Sequence, residues 1–182
     1  GARHMAEPAK LMAGVEAVYG KERARQLYGE LRPIATGRIV EAPEGAVIDL
    51  AGRELLCLDT PGHARHHMAI FDTQSKGVFT GDTFGIAYRE LYAGNRPFLF
   101  PTTTPSQFDP AALRSSIGRI LALQPEAAYL THFGLLAEPQ RHAAALLLRL
   151  DAFVGIAEDA ARKVGAGNTA AERLQALIAP PL

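Results

Sequence analysis

The chain has 182 residues, of which 48% are hydrophobic and 21% are charged. This length and composition are typical of one soluble globular domain with a core of its own. With 19 basic and 19 acidic residues the formal net charge is zero, so we expect neither nucleic acid nor a membrane as a partner. No secretory leader or membrane-length apolar run is recognisable, and the single cysteine, Cys57, fits a reducing compartment. A cytoplasmic location is therefore expected.

The first part of the chain, residues 1–45, is expected to be helical. Apolar side chains recur on one face between Pro8 and Gly20, where the proline suits a first helical turn and the glycine an end. A second short helix is predicted for residues 21–28, and Gly29 and Pro33 interrupt the pattern after it.

Residues 46–134 have the pattern of short strands separated by loops. Residues 47–50 and 53–58 flank a hairpin-like turn, and residues 68–72 and 78–80 flank a polar turn. Four short strands with tight turns indicate an antiparallel sheet. A further brief strand is predicted for residues 127–131.

Between these strands, residues 84–108 show no clear period and hold six of the chain's thirteen aromatic residues. A segment this aromatic is expected to pack as a lid over a site or as a subunit contact.

The last part of the chain, residues 135–182, is expected to consist of helices. An earlier helix starts at Asp109, which suits an N-cap and is followed by Pro110. The longest helix is predicted for residues 139–164, and a capping box at Asn168 indicates a final helix toward Ile178. The order of elements predicts a single mixed α/β domain in layers.

Three predicted strands are each followed by a potential metal ligand. Thr-Pro-Gly-His ends at His63, Gly-Asp-Thr contains Asp82, and Thr-His-Phe-Gly contains His132. Taken singly, each is also an ordinary turn or a structural histidine. Ligands at the ends of separate strands can converge on one edge of a sheet. Two imidazoles and one carboxylate suit zinc, iron or manganese.

Together the stretches TPGHARHH, FTGDTFGI and YLTHFG resemble the metallo-β-lactamase superfamily. The resemblance implies an αββα sandwich, here its C-terminal portion. It implies that His63, Asp82 and His132 bind one or two zinc ions, with iron or manganese as alternatives, and that Asp82 is the catalytic carboxylate that bridges two ions. His67 would support the ligands from behind, and the hydroxyl groups of Thr83 and Thr131 would orient them.

The implied activity is that of a metal-dependent hydrolase. A metal-bound hydroxide would attack an ester, thioester, lactone or amide-like bond of a small-molecule substrate. Tyr88, Arg89 and Tyr92 in the aromatic segment are the candidate substrate contacts, and dimer packing is the competing explanation of that segment. An iron-dependent sulfur dioxygenase-like redox enzyme shares the same turns and is the alternative activity.

One departure from the family pattern affects all of these expectations. The leading motif HxHxDH, which supplies further ligands in the family, is absent from this sequence. We therefore expect an N-terminally incomplete domain, and favour native sequence over a tag remnant for residues 1–5. A third interpretation is a non-catalytic fragment, which would associate with the missing half or form a homodimer through an uncovered core face.

Overall fold

A computed structural model describes residues 1–94, 96–103 and 107–164 of the chain. The helices are α1 (Ala2–Ala6), α2 (Ala9–Tyr19), α3 (Lys21–Tyr28), α4 (Pro110–Ala122) and α5 (Pro139–Val164). The strands are β1 (Val47–Leu50), β2 (Arg53–Asp59), β3 (Met68–Asp72), β4 (Gly77–Gly81), β5 (Ile86–Ala87), β6 (Leu99–Phe100), β7 (Ala127–Leu130) and β8 (Gly134–Ala137). Short 3-10 turns cover Thr36–Arg38 and Arg89–Leu91.

A six-stranded sheet in the order β1-β2-β3-β4-β7-β8 carries the fold. Its neighbours are antiparallel except β4 and β7, which run parallel. The connection between these two strands contains the β5-β6 ribbon and α4, as a parallel pair requires a long crossover. Because β2, β4 and β7 run in the same direction, their carboxyl ends meet at one edge of the sheet.

One face of the sheet is buried beneath α4 and α5. A cross-strand row on this face has the members Leu56, Phe71, Val78, Ala128 and Leu136. The row packs in one hydrophobic core with Ile117 of α4 and Leu146 of α5, both inaccessible or nearly so. The apolar stripes of the two helices therefore find their partner in this face of the sheet.

The opposite face of the sheet exposes large apolar side chains. Its corresponding row runs through Ile70, Phe79, Tyr129 and Leu135. Phe79 is 48% exposed and Leu135 is 56% exposed, and the Phe79 and Tyr129 rings stack with centroids 4.9 Å apart. We call the exposed side chains Ile48, Met68, Phe79, Tyr129 and Leu135 the open apolar face.

The structure agrees with most of the expected elements and adds several. The four predicted strands form an antiparallel series, and α3 and α5 begin and end as predicted. Asp109 caps α4, since its carboxylate accepts the amide hydrogen of Ala112 at 2.9 Å. The expectation that residues 135–182 hold only helices is wrong, because β8 lies there and pairs with β7.

Two further differences concern short segments. Helix α1 and the β5-β6 ribbon were not expected, and each is too short to leave a periodic pattern in the sequence. The predicted final helix from Asn168 lies outside the described residues. Among the helices of the described part, none is long and apolar enough to cross a bilayer.

The two faces of α4 and α5 predict a clear contrast between two isoleucines. Ile117 on α4 is fully buried, whereas Ile156 on α5 is 68% exposed. We expect Ile117→Ala to lower the free energy of unfolding by about 2–5 kcal/mol, because it leaves a cavity in the core. Ile156→Ala should change it by less than about 0.5 kcal/mol. Urea unfolding followed by circular dichroism measures both, and equal losses would contradict this account of the core.

Candidate metal centre

The three predicted ligands converge at the shared edge of the sheet. His63 follows β2 after a Pro-Gly turn, Asp82 follows β4 directly, and His132 lies two residues beyond β7. Asp82 Oδ2 is 3.8 Å from His63 Nε2, and Asp82 Oδ1 is 3.3 Å from His132 Nε2. The carboxylate thus lies between the two imidazoles and turns one oxygen toward each.

This arrangement is that of two half-sites joined by one carboxylate. The described residues contain no group of three or more His, Cys, Asp or Glu side chains placed to hold a single ion. Each imidazole instead pairs with its own oxygen of Asp82, so each half-site has two protein donors. Zinc sites in proteins have three or four protein ligands. The donor types therefore suit zinc. Two donors per half-site are fewer than the three or four protein ligands that a complete zinc site has.

The Pro-Gly turn that positions His63 is packed tightly against α4. Gly62 has φ +134°, and a Cβ at this position would lie 2.3 Å from the backbone N and Cα of Leu113. The Gly62 carbonyl accepts the amide hydrogen of Asp109 at 2.8 Å, and the Pro61 carbonyl accepts the Ser116 hydroxyl at 2.6 Å. Helix α4 therefore fixes the direction in which His63 leaves the sheet.

His67 holds the loop of Asp82 from behind. The Asp82 amide donates to His67 Nε2 at 3.0 Å, and the same nitrogen lies 3.8 Å from Asp82 Oδ2. Nδ1 lies 2.9 Å from the Thr60 hydroxyl and 3.0 Å from the Thr83 hydroxyl. Both ring nitrogens are engaged, so His67 positions the backbone of Asp82 rather than offering a free nitrogen to a metal.

Thr102 links His63 to Asp82. Its backbone carbonyl lies 3.4 Å from His63 Nδ1, a long contact that favours the proton on this nitrogen and leaves Nε2 free. Its hydroxyl donates to the carbonyl of Asp82 at 2.7 Å. The side chain is buried between the two ligand loops. Thr102 therefore couples the orientation of one ligand to the backbone of the other.

The imidazoles around Asp82 change its acidity. They hold the pKa of its carboxyl below the ordinary value, with His67 contributing most and His63 and His132 acting in the same direction. Partial burial opposes this effect. The carboxylate therefore stays anionic to a lower pH than an ordinary aspartate, and the anion is the form that binds a cation.

The remaining predicted residues are distributed differently from the sequence-based expectation. Thr131 is exposed, and its hydroxyl makes no hydrogen bond to another residue of the described part. Tyr92 is half-buried, and its ring packs against the hydrophobic core. Its role at the substrate stays a prediction. Tyr88 and Arg89 lie near residues 133 and 134, beside His132.

Two threonines of the site were missed in the sequence. Thr60 is fully buried, and its position directly before the Pro-Gly turn is the signal that could have identified it. Thr102 lies in a loop between β6 and α4, and nothing in the local sequence indicates that this loop returns to the ligands. Only the tertiary structure brings its carbonyl to His63.

A family profile described as the metallo-β-lactamase superfamily matches residues 1–132. The chain belongs to this superfamily. A metallo-β-lactamase fold-containing protein from Sulfurisphaera tokodaii is 30% identical over 129 residues, which are 70% of this chain and 45% of that protein. The crystal structure of the same archaeal protein, described there as from Sulfolobus tokodaii, has a TM-score of 0.64 at 26% identity, and the match covers 97% of this chain and 64% of that one.

Two further similarities are more limited. A metallo-β-lactamase family protein from Thermus thermophilus shares the fold, with a TM-score of 0.61 at 21% identity over 97% of this chain and 56% of that one. A hydroxyacylglutathione hydrolase from Synechococcus is 37% identical over 67 residues, which are 37% of this chain and 24% of that enzyme. The mixed α/β architecture is thus that of the metallo-β-lactamase fold. The chain spans less than two thirds of the length of each of these relatives.

The close approach of the Pro-Gly turn to α4 predicts different effects for two glycines. Gly62→Ala places a methyl group against the Leu113 backbone at a positive φ, so we expect a loss of at least about 2 kcal/mol in the free energy of unfolding. Gly118→Ala, in α4 with open space around it, should stabilise by about 0.5–1 kcal/mol. Thermal unfolding measures both, and an unchanged melting temperature for Gly62→Ala would refute the tight packing.

Proposed function

We propose that this protein is a metal-dependent hydrolase that acts on an ester, thioester, lactone or amide-like bond of a small molecule. The observation that carries the proposal is the position of Asp82 between His63 and His132, with one carboxylate oxygen facing each imidazole. Membership of the metallo-β-lactamase superfamily and the similarity to a hydroxyacylglutathione hydrolase support a hydrolytic reaction. Zinc is the proposed ion, and iron or manganese would suit the same donors.

The residues of this chain would hold the centre and set its geometry. Asp82 would join two ions, and His63 and His132 would each serve one of them through Nε2. A bound divalent ion would supply acidified water and stabilise a developing oxyanion. Thr102 and His67 would hold the loops of His63 and Asp82 in place, since they contact the Asp82 backbone and His63 Nδ1 and leave His63 Nε2 available to an ion.

Metal titration of single variants tests the proposal. We expect Asp82→Asn to weaken zinc binding at both half-sites by at least about tenfold, because one carboxylate serves both. His63→Ala and His132→Ala should each remove one half-site and leave the other. His142→Ala changes a histidine of α5 that is not among the predicted ligands. This variant is the matched control and should bind zinc as the unmodified protein does. Isothermal titration calorimetry and elemental analysis give affinity and stoichiometry.

Two outcomes would redirect or refute the assignment. Equal zinc binding by Asp82→Asn and His142→Ala would show that Asp82 is not a ligand. Copurifying iron together with oxygen consumption, and no turnover of p-nitrophenyl acetate or a thioester probe, would favour the sulfur dioxygenase-like alternative. That alternative remains because two histidines and a carboxylate are also an iron ligand set.

The open apolar face supports a further proposal about partners. We propose that the 182-residue chain on its own associates with a second copy through this face. Apolar surface removed from water contributes roughly 25 cal/mol per Å², and these five side chains are 38–56% exposed on the same face of the sheet. In this state the chain would be the non-catalytic fragment considered as the third interpretation, since each half-site has only two donors.

A pair of charge substitutions tests this association. Phe79→Glu places a carboxylate in the centre of the open apolar face, and we expect it to shift the chain to monomer because burying the charge is costly. Leu148→Glu, at a 71% exposed position on α5, makes the same change of charge elsewhere and should leave the association unchanged. Sedimentation equilibrium measures the mass, and a monomeric unmodified chain with zinc bound and rapid ester turnover would refute the fragment interpretation.

A further inference from the structure

A pair of exposed aromatic rings lies beside His132. The ring centroids of Tyr88 and Phe133 are 4.9 Å apart, and the Phe133 centroid is 6.3 Å from that of His132. Tyr88 is 39% exposed and Phe133 is 52% exposed. The two rings therefore form an apolar surface in contact with solvent, next to one of the two half-sites.

The backbone of Phe133 has a conformation that packing in the core does not explain. Its φ of +74° lies in the left-handed region, which bulky residues rarely adopt. The conformation follows from the turn, because Phe133 is the last of the three residues that join β7 to β8, and such turns commonly end in a left-handed residue. The turn directs the ring outward, where it contacts Tyr88 and stays half exposed.

Arg89 adds a positive charge to the same surface. Its Nη2 lies 3.9 Å from the position that a Cβ on Gly134 would occupy, so the guanidinium is next to the chain just after Phe133. Within the described part of the protein, Arg89 takes part in none of the ion pairs. A guanidinium presents a planar set of donors that matches a carboxylate in a bidentate manner.

We propose that Arg89, Tyr88 and Phe133 form a subsite for a substrate that carries a carboxylate on an apolar or aromatic chain. Arg89 binds the carboxylate, and the two rings bind the apolar chain. Phe133 is adjacent to His132, so an apolar chain bound on the rings lies close to that half-site. This inference rests on the proposed function and specifies its substrate class as an anionic acyl compound.

The test measures binding of two small probes that differ only in charge. The metal-free, ¹⁵N-labelled chain is titrated with 3-phenylpropanoate and with 3-phenylpropanamide, and amide chemical shifts are followed. We expect shifts at Gly134 and around Arg89, and about tenfold tighter binding of the carboxylate probe. Arg89→Gln should abolish this preference, and Arg89→Lys should retain part of it because the charge remains. Arg96→Gln, an exposed arginine of the same segment, is the matched control and should keep the full preference.

A second variant separates the roles of the charge and the rings. Phe133→Ala should weaken both probes by a similar factor and leave their ratio unchanged, because the apolar contact is common to both. Equal binding of the two probes by the unmodified chain, no binding of either, or an unchanged ratio in Arg89→Gln would overturn the subsite. Since these titrations contain no metal, their failure is distinguishable from a failure of zinc binding, which calorimetry measures separately.

Discussion

The hydrogen bonds of the His67 ring are the constraint on which the rest of the site depends. One nitrogen accepts the amide of Asp82, and the other lies between two threonine hydroxyls from different strand ends. Gly81 has to be a glycine for this contact to exist, because a Cβ there would lie 2.5 Å from His67 Nε2. The ring therefore lies between the ends of β2 and β4, and it determines where the Asp82 carboxylate lies relative to the edge of the sheet. The position of any ion bound by Asp82 would therefore depend on the His67 ring.

Much of this site could be predicted from the sequence because its ligands follow strands directly. A short apolar run followed by Pro-Gly-His or by Gly-Asp places a side chain at a sheet edge, whatever the rest of the fold does. The direction of the strands then brings His63, Asp82 and His132 together. The same reasoning succeeds for α4, since the capping residue Asp109 and the proline after it are local signals.

Other features depend on tertiary pairing and left no local signal. Strand β8 has four residues, begins with a glycine, and exists because β7 offers an unpaired edge. Thr102 reaches His63 only through the path of the loop between β6 and α4. Tyr92 lies in the segment predicted to contact substrate, and its ring packs against the core, a contact that the local sequence does not indicate. In each case the residue's role is set by a distant element.

The two faces of the sheet differ in what they make possible. The face beneath α4 and α5 supplies the hydrophobic core that holds the strands in register. The other face contributes little to that core and leaves stacked aromatic rings in contact with solvent. The ligand edge lies between these faces.

The hairpin between β1 and β2 lies at the end of the sheet away from the ligands. Ala51 and Gly52 form its tip, with φ values of +53° and +85°, and the Asp49 carboxylate caps it by accepting the Gly52 amide at 2.7 Å. Strand β2 then runs from Arg53 to Asp59, which separates this tip from the ligand edge by about 20 Å. A fluorophore or an affinity tag inserted there would report on the protein without entering the substrate's approach. The tip of the β1-β2 hairpin is therefore a suitable attachment point for single-molecule and immobilisation studies.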